Sequence, residues 1–284
     1  MTKYKNILLC ALVLSLLILS CTEPKYQNRT AIIYAFSLEG KLLRSQMSLE
    51  DSLFSKGRIF WLGKIADKEV VVVNSGIGMT NAALSAQLLI DKYKPKEIVF
   101  TGICGGIDQQ NRIGDIVIPE RWATHDFGYY DSSGFSIDKI PVILPEKTTI
   151  DTLIFFDVDK NLLDKALEIK QKADAKLKPV LDRIPQVKIG GNGASGNSFI
   201  DQVEKRKWLK ERLDAQIVDM ESAAAVQVAN INGVPILVVR SCSDLAGGSG
   251  SSTAGAEMEA FMKVAADNSA AFVLELLKII NENR

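Results

Sequence analysis

The side chains best suited to chemistry in this sequence are acidic residues at the ends of apolar runs. The stretch Asp219 to Asp244, DMESAAAVQVANINGVPILVVRSCSD, sets Asp219 and Glu221 around Met220 at the head of an Ala-rich run. It then sets Arg240, Ser243 and Asp244 directly after Val234, Ile236, Leu237, Val238 and Val239. A near-continuous apolar run of that kind reads as a parallel strand covered on both faces. Small ligands bind beyond the carboxyl ends of such strands in open α/β sheets, so a carboxylate there is a candidate acid or base. Glu39 holds a comparable place, just past a first strand expected over Thr30 to Phe36. Each fragment also has an ordinary reading. Asp219 and Glu221 can cap a helix, Ser243-Asp244 can be a strand-to-loop turn, and Glu39 can sit in a first helical turn on dipole grounds.

Glycines mark the other places where a ligand could meet backbone. Ser75-Gly76-Ile77-Gly78 lies between the apolar strand Glu69 to Val73 and a helix expected over Asn81 to Tyr93. Backbone N–H groups at such a turn can face an anion or polar ligand, and the same glycines can serve a tight turn alone. The spacing is neither a Walker motif nor G-x-G-x-x-G. Strand Glu97 to Thr101 runs into Gly102-Ile103-Cys104-Gly105-Gly106, where backbone can approach a ligand closely. A short strand over Gln186 to Gly190 leads into a glycine-rich turn from Gly191 to Ile200.

The elements that must position these groups alternate between strand and helix. Trp61 to Ala66 pairs with Glu69 to Val73 as a hairpin, and Lys41 to Leu53 reads as helix. Ile113 to Pro119 is a turn into a strand, and Trp122 to Tyr130 is an aromatic-rich loop that lines a pocket, a subunit contact or plain packing. Asp159 to Lys178 has an apolar stripe opposite many lysines, a surface helix that Pro179 ends. Helix Gln202 to Leu213, strand Ile217-Val218 and a closing helix over Ala256 to Ile280 complete the pattern. The rest of residues 131–184 shows no clear period.

Composition narrows the function. The 284 residues carry 34 basic and 34 acidic side chains, which gives no electrostatic case for nucleic acid or a basic membrane patch. A single histidine, His125, and no Cys-x-x-Cys leave no metal site to expect, and no cofactor is implied. Of four cysteines, Cys104 and Cys242 fall in apolar company near strand ends, either as a pair or as two buried thiols. Residues 1–20 read as an export signal, with Lys3 and Lys5 ahead of an apolar run from Ile7 to Leu19. Ile18-Leu19-Ser20-Cys21 resembles the lipobox of bacterial lipoproteins, which would make Cys21 the lipid attachment site; cleavage elsewhere and an uncleaved anchor stay open. Residues 21–29 then form a polar tether and 30–284 one α/β domain.

Six separated pieces, in order, resemble the nucleoside phosphorylase superfamily and most closely its methylthioadenosine/S-adenosylhomocysteine nucleosidase branch. They are Ser75-Gly76-Ile77-Gly78, Thr101-Gly102-x-x-Gly105-Gly106, Gly114-Asp115-Ile116-Val117, Gly196-x-x-Phe199-Ile200, Met220-Glu221 and Val238-Val239-Arg240-x-x-Ser243-Asp244. The resemblance implies a single three-layer α/β/α domain with a central mixed sheet, usually a homodimer, that cleaves an N-glycosidic bond. By the same resemblance Asp244 protonates the purine at N7 with Ser243 orienting it, and Glu39 activates water with Ser75 and Arg240 beside it. Glu221 would bind the ribose hydroxyls, Met220 would pack on the sugar, Phe199 would stack on the purine and Ile200 would meet the base edge through its backbone. Gly76 would bring backbone to the substrate. The sequence departs from the family at Tyr34, at Ser37-Leu38, at Asn197 and in a longer middle segment. A phosphate-dependent phosphorylase and a non-catalytic nucleoside-binding lipoprotein are the other readings, and the expected location is outside the inner membrane.

Overall fold

The computed structural model describes residues 26–280. The apolar leader, Cys10 and the expected lipid site Cys21 lie outside the described residues. Sixteen strands and six helices follow along the described residues: β1 (Thr30–Tyr34), α1 (Lys41–Ser45), β2 (Ser48–Ser55), β3 (Arg58–Ile65), β4 (Lys68–Asn74), α2 (Met79–Tyr93) and β5 (Glu97–Gly106) come first. Next are β6 (Ile116–Ile118), β7 (Arg121–Thr124), β8 (Gly128–Asp131), β9 (Gly134–Ile137), β10 (Ile140–Val142), β11 (Asp151–Leu153), β12 (Phe155–Asp157) and α3 (Lys160–Asp174). The chain closes with β13 (Val187–Ile189), β14 (Asn192–Ser195), α4 (Val203–Leu213), β15 (Ala215–Asp219), α5 (Ser222–Ile231), β16 (Ile236–Leu245) and α6 (Ala254–Ile279).

A 12-stranded mixed sheet forms the middle layer, with strands β12-β7-β14-β15-β5-β1-β4-β3-β2 in order. β16 joins it as a parallel partner of β5 and an antiparallel partner of β6, which in turn pairs β13. Helices α2 and α5 pack together on one face, and α6, with α1 and α3 against it, covers the other. The two-sided cover explains why β1 is buried at every position and why Val70 to Val73 are fully buried. Tyr26 and Arg29, in the segment expected as a tether, dock on this domain. Tyr26 donates to Asp51 at 2.8 Å, and the buried Arg29 donates to the Gly63 carbonyl at 3.1 Å and to Glu50 at 2.7 Å.

Four local expectations are corrected. The helix read over Lys41 to Leu53 ends at Ser45, and Ser48–Ser55 is an edge strand paired with β3. Trp122 to Tyr130 is not a loop: Trp122 is a fully buried side chain of β7, whereas Tyr129 and Tyr130 lie exposed on the two-stranded β8–β9 ribbon. The turn expected from Gly191 begins with strand β14, whose Gly193 lies so close to the Trp122 ring that an added Cβ would come within 2.5 Å of it. Ser243-Asp244 is not a turn either, because β16 runs unbroken to Leu245.

Candidate active site

That last correction sets the geometry of the site. β5 and β16 run parallel, with Arg240 beside Gly102 and Cys242 beside Cys104, and the register then slips so that Asp244 sits beside Gly105. Ser243 is the extra residue of this bulge. A bulge bends its strand and re-aims the next side chain. Asp244 thereby lines a hollow of about 110 Å³ among the sheet ends, together with Glu39, Glu221, Met220, Phe199 and Ser243. A smaller adjoining cleft of about 30 Å³ shares Gly105, Phe199, Met220 and Asp244 and adds Ile200.

Asp244 is 2% exposed. The Ser243 hydroxyl donates to its Oδ2 at 2.8 Å, and Oδ1 has no hydrogen-bond partner. Burial pushes this carboxyl up to about 7 against the opposing pull of the Ser243 hydroxyl, with the Glu257 and Asp201 charges adding to the rise. The group therefore holds a proton near neutral pH and keeps one oxygen unspent.

Glu39 is folded back under the turn that leaves β1. Its Oε2 accepts the N–H groups of Ala35 at 2.6 Å and Phe36 at 3.3 Å, and its Oε1 accepts that of Ile103 at 2.8 Å. Burial raises its pKa, while Arg240 and those three donors favour the carboxylate. A general base needs this combination: an anion fixed in place and shielded from bulk water.

Arg240 lies against Glu39, fully buried, with its guanidinium 4.4 Å from the centre of the Phe100 ring. Its Nε is 2.8 Å from Asp219 Oδ2, Nη1 is 3.7 Å from Glu39 Oε1, and Nη2 is 3.7 Å from Glu221 Oε2. Burial disfavours its charge, and the surrounding carboxylates more than offset that. Glu221 Oε1 accepts the Gly78 N–H at 2.9 Å, so the head of α2 receives a carboxylate from its own chain. Burial pushes Glu221 up to about 7, with Arg240 opposing and Asp219 reinforcing the shift.

Four candidates from the sequence do not line the hollow itself: Arg240 lies against Glu39, Ile200 lines the adjoining cleft, and Ser75 and Gly76 lie apart. The Ser75 hydroxyl lies on backbone carbonyls, 2.9 Å from Gly76 O and 3.3 Å from Tyr34 O. Ser75 and Gly76 line a separate concavity of about 410 Å³ with Arg58 and Asn81. The Ile103 N–H bonds Glu39, and Ile77 and Gly78 carry that turn's contact with the site. The Ile200 carbonyl already accepts the Gly247 N–H at 3.1 Å. A further cavity of about 640 Å³ lies between Arg112, Arg183 and the head of α6 and contains none of the expected residues.

A sequence model of the Phosphorylase superfamily matches residues 29–278, which spans every element that lines the hollow. The chain belongs to the Phosphorylase superfamily. Among curated members, the 5'-methylthioadenosine/S-adenosylhomocysteine nucleosidase of Listeria innocua is 34% identical over 252 residues, covering 88% of this chain and 98% of that protein. Among solved members, the nucleosidase of the same name from Neisseria meningitidis, in complex with methylthio-immucillin-A, matches with a TM-score of 0.73 at 25% identity, covering 88% and 99% of the two chains. Futalosine hydrolase of Helicobacter pylori shares the fold, with a TM-score of 0.73 at 24% identity and 88% and 97% coverage.

Within this superfamily fold the sequence reading passed over two groups. Asp219 looked like a capping residue, and it does accept the backbone N–H of Glu221 at 3.2 Å and of Ser222 at 3.1 Å. It also accepts the hydroxyls of Ser195 and Ser222, pairs with Arg240 and lines the hollow. Asn197 ties the loop carrying Phe199 to α2, its Oδ1 accepting the Met79 N–H at 3.1 Å, while its own N–H donates to Asp126 at 2.8 Å. Both roles depend on tertiary neighbours, and only the acidic or amide residue type was visible beforehand.

Proposed function

We propose that this protein is a nucleosidase that hydrolyses the N-glycosidic bond of an adenine nucleoside of the methylthioadenosine or S-adenosylhomocysteine class. The observation that carries the reading is that Asp244, with a free oxygen and a raised pKa, and Glu39, an anchored carboxylate, line one hollow. The purine takes the side of the hollow bounded by Phe199 and Ile200, and Asp244 Oδ1 gives its proton to N7 as the bond to the sugar breaks. The sugar then carries positive charge, as in glycoside hydrolysis. Glu221 accepts hydrogen bonds from the ribose hydroxyls, and Glu39 takes the proton of the attacking water. Arg240 positions Glu39, Asp219 and Glu221 from below.

Water is the nucleophile in this reading because Arg240 is already surrounded by three carboxylates, which oppose a phosphate at the same place. The test is adenine release from methylthioadenosine with and without phosphate. Equal rates support hydrolysis, and release that requires phosphate assigns phosphorolysis. Nucleoside binding with no turnover in either buffer would leave a binding protein.

The same proposal includes a lipid anchor on Cys21, a location outside the inner membrane, and a homodimer. The leader and lipobox-like residues support the anchor, and membrane fractionation of Cys21→Ser checks it. Exposed Phe127, Tyr129 and Tyr130 near the β8–β9 ribbon support self-association, which sedimentation measures.

A further inference from the structure

Cys104 and Cys242 take no part in the mechanism, yet they are placed together at the site. They occupy paired positions of the parallel strands β5 and β16, and their sulfurs lie 3.8 Å apart as free thiols. Cys104 lines the hollow, whereas Cys242 is fully buried behind it. Neighbouring strands lie about 4.7–4.9 Å apart, inside the Cα separation of about 4.4–6.8 Å that a disulfide spans. The residue after Cys242 is Ser243, whose bulge gives β16 local slack and whose hydroxyl holds Asp244.

We propose that Cys104 and Cys242 form an oxidisable dithiol at the floor of the hollow, which hydrogen peroxide entering the cavity converts to a disulfide that misplaces Asp244. The Cys104 thiolate attacks one peroxide oxygen and the O–O bond breaks. Hydroxide leaves and takes a proton to become water, and Cys104 is then a sulfenic acid. The Cys242 sulfur attacks the Cys104 sulfur, the S–O bond breaks, and the hydroxyl leaves as a second water with the Cys242 proton. Two thiols are oxidised by two electrons and one peroxide is reduced to two waters. The sulfurs must close from 3.8 Å to about 2.05 Å, and the movement is taken up next to Ser243. Burial holds the Cys104 thiol well above its ordinary pKa, so oxidation quickens as pH rises. A ligand in the hollow blocks the route to Cys104.

The effect on turnover rests on the nucleosidase reading, but the crosslink does not. The full chain is treated with hydrogen peroxide, quenched, alkylated under denaturing conditions and mapped by peptide mass spectrometry. The expected product joins the Cys104 and Cys242 peptides with loss of two hydrogens, reverts on reduction, and forms more slowly with adenine present. Turnover falls about tenfold or more with the crosslinked fraction, given that a misplacement of about 1 Å can cost about a hundredfold, and returns on reduction. Cys242→Ala leaves Cys104 without its partner, so its peroxide product is a sulfenic or sulfinic acid and no crosslink appears. Separate alkylation of both thiols after peroxide would overturn the proposal, as would a crosslink that forms with turnover unchanged. A crosslink in a protein with no turnover would preserve the dithiol and remove the nucleosidase.

Discussion

At the scale of single residues, the acid and the base differ in what has been done to each carboxyl. Asp244 has one oxygen satisfied by Ser243 and one left open, and burial lifts it to about 7. Glu39 has both oxygens on backbone donors. The proposed mechanism needs Asp244 protonated, so kcat/KM is expected to fall as pH rises through about 7. Asp244→Asn keeps the shape without the proton. Its expected outcome is a loss of about 10²–10⁴ in kcat with nucleoside binding largely retained, and a residual rate without the alkaline limb. A pH–rate profile of both proteins checks this, and an unchanged limb in the variant would assign it to another group. A second single-atom test concerns Gly102, where an added Cβ would come within 2.1 Å of Arg240 Nη1 and 2.3 Å of Glu39 Oε1. Gly102→Ala must push that pair apart. The expectation is an overpacking cost of about 1–3 kcal/mol in urea unfolding and a drop in kcat larger than the change in KM. Asp244 and Glu39 were legible because carboxylates after apolar strands are conspicuous. Ser75 was singled out by residue type, and the partners of its hydroxyl, the Tyr34 and Gly76 carbonyls, were not visible in the sequence.

Elements were legible in proportion to how strictly one physical period governed them. β1, β4 and the first half of β5 are continuous apolar runs because both faces are covered, and α3 carries a clean stripe opposite its lysines. Ser48–Ser55 is an exposed edge strand with little burial to impose alternation, and the preceding helix-forming residues masked it. The strands β9 to β12 within residues 131–184 are three or four residues long, too short for any period. What no pattern shows is how an element's end is tethered. Glu257 in the first turn of α6 accepts the Leu245 N–H through Oε2 and the Ser249 N–H through Oε1, each at 2.9 Å, one residue beyond Asp244. Glu257→Ala leaves both donors without this partner and frees the end of β16. Stability should fall by about 1–3 kcal/mol, with kcat reduced through a loosened Asp244. Glu257→Gln should retain much of the stability. It also removes a charge that raises Asp244, so the alkaline limb should move to lower pH. Urea unfolding and the pH–rate profile together separate the tether from the charge.

For the whole molecule, the site makes stability depend on pH in a direction opposite to acid denaturation. Burial raises the pKa values of Asp244, Glu221 and Glu39 in the folded state, the first two to about 7. A carboxyl that binds its proton more tightly when folded contributes stability that is complete below the unfolded value of 3.8 or 4.5. That contribution declines as pH rises and is lost once pH passes the folded value. Asp108 and Asp267 are shifted down, with burial opposing and lysine partners prevailing. Their contribution is already complete above about pH 4, and such pairs with exposed lysines are worth only about 0–1 kcal/mol, so they do not vary across the window in question. Between pH 5 and 8 these carboxyls lower the unfolding free energy as pH rises, with Asp244 alone accounting for at most a few kcal/mol at about 1.4 kcal/mol per pKa unit, while His125, whose pKa burial lowers, works the other way up to its unfolded value of 6.5. Urea midpoints at intervals across that range measure it directly. Asp244→Asn, which has no proton to lose, should flatten the slope. A variant with the parent's slope would show that Asp244 does not hold the proton the proposed reaction needs.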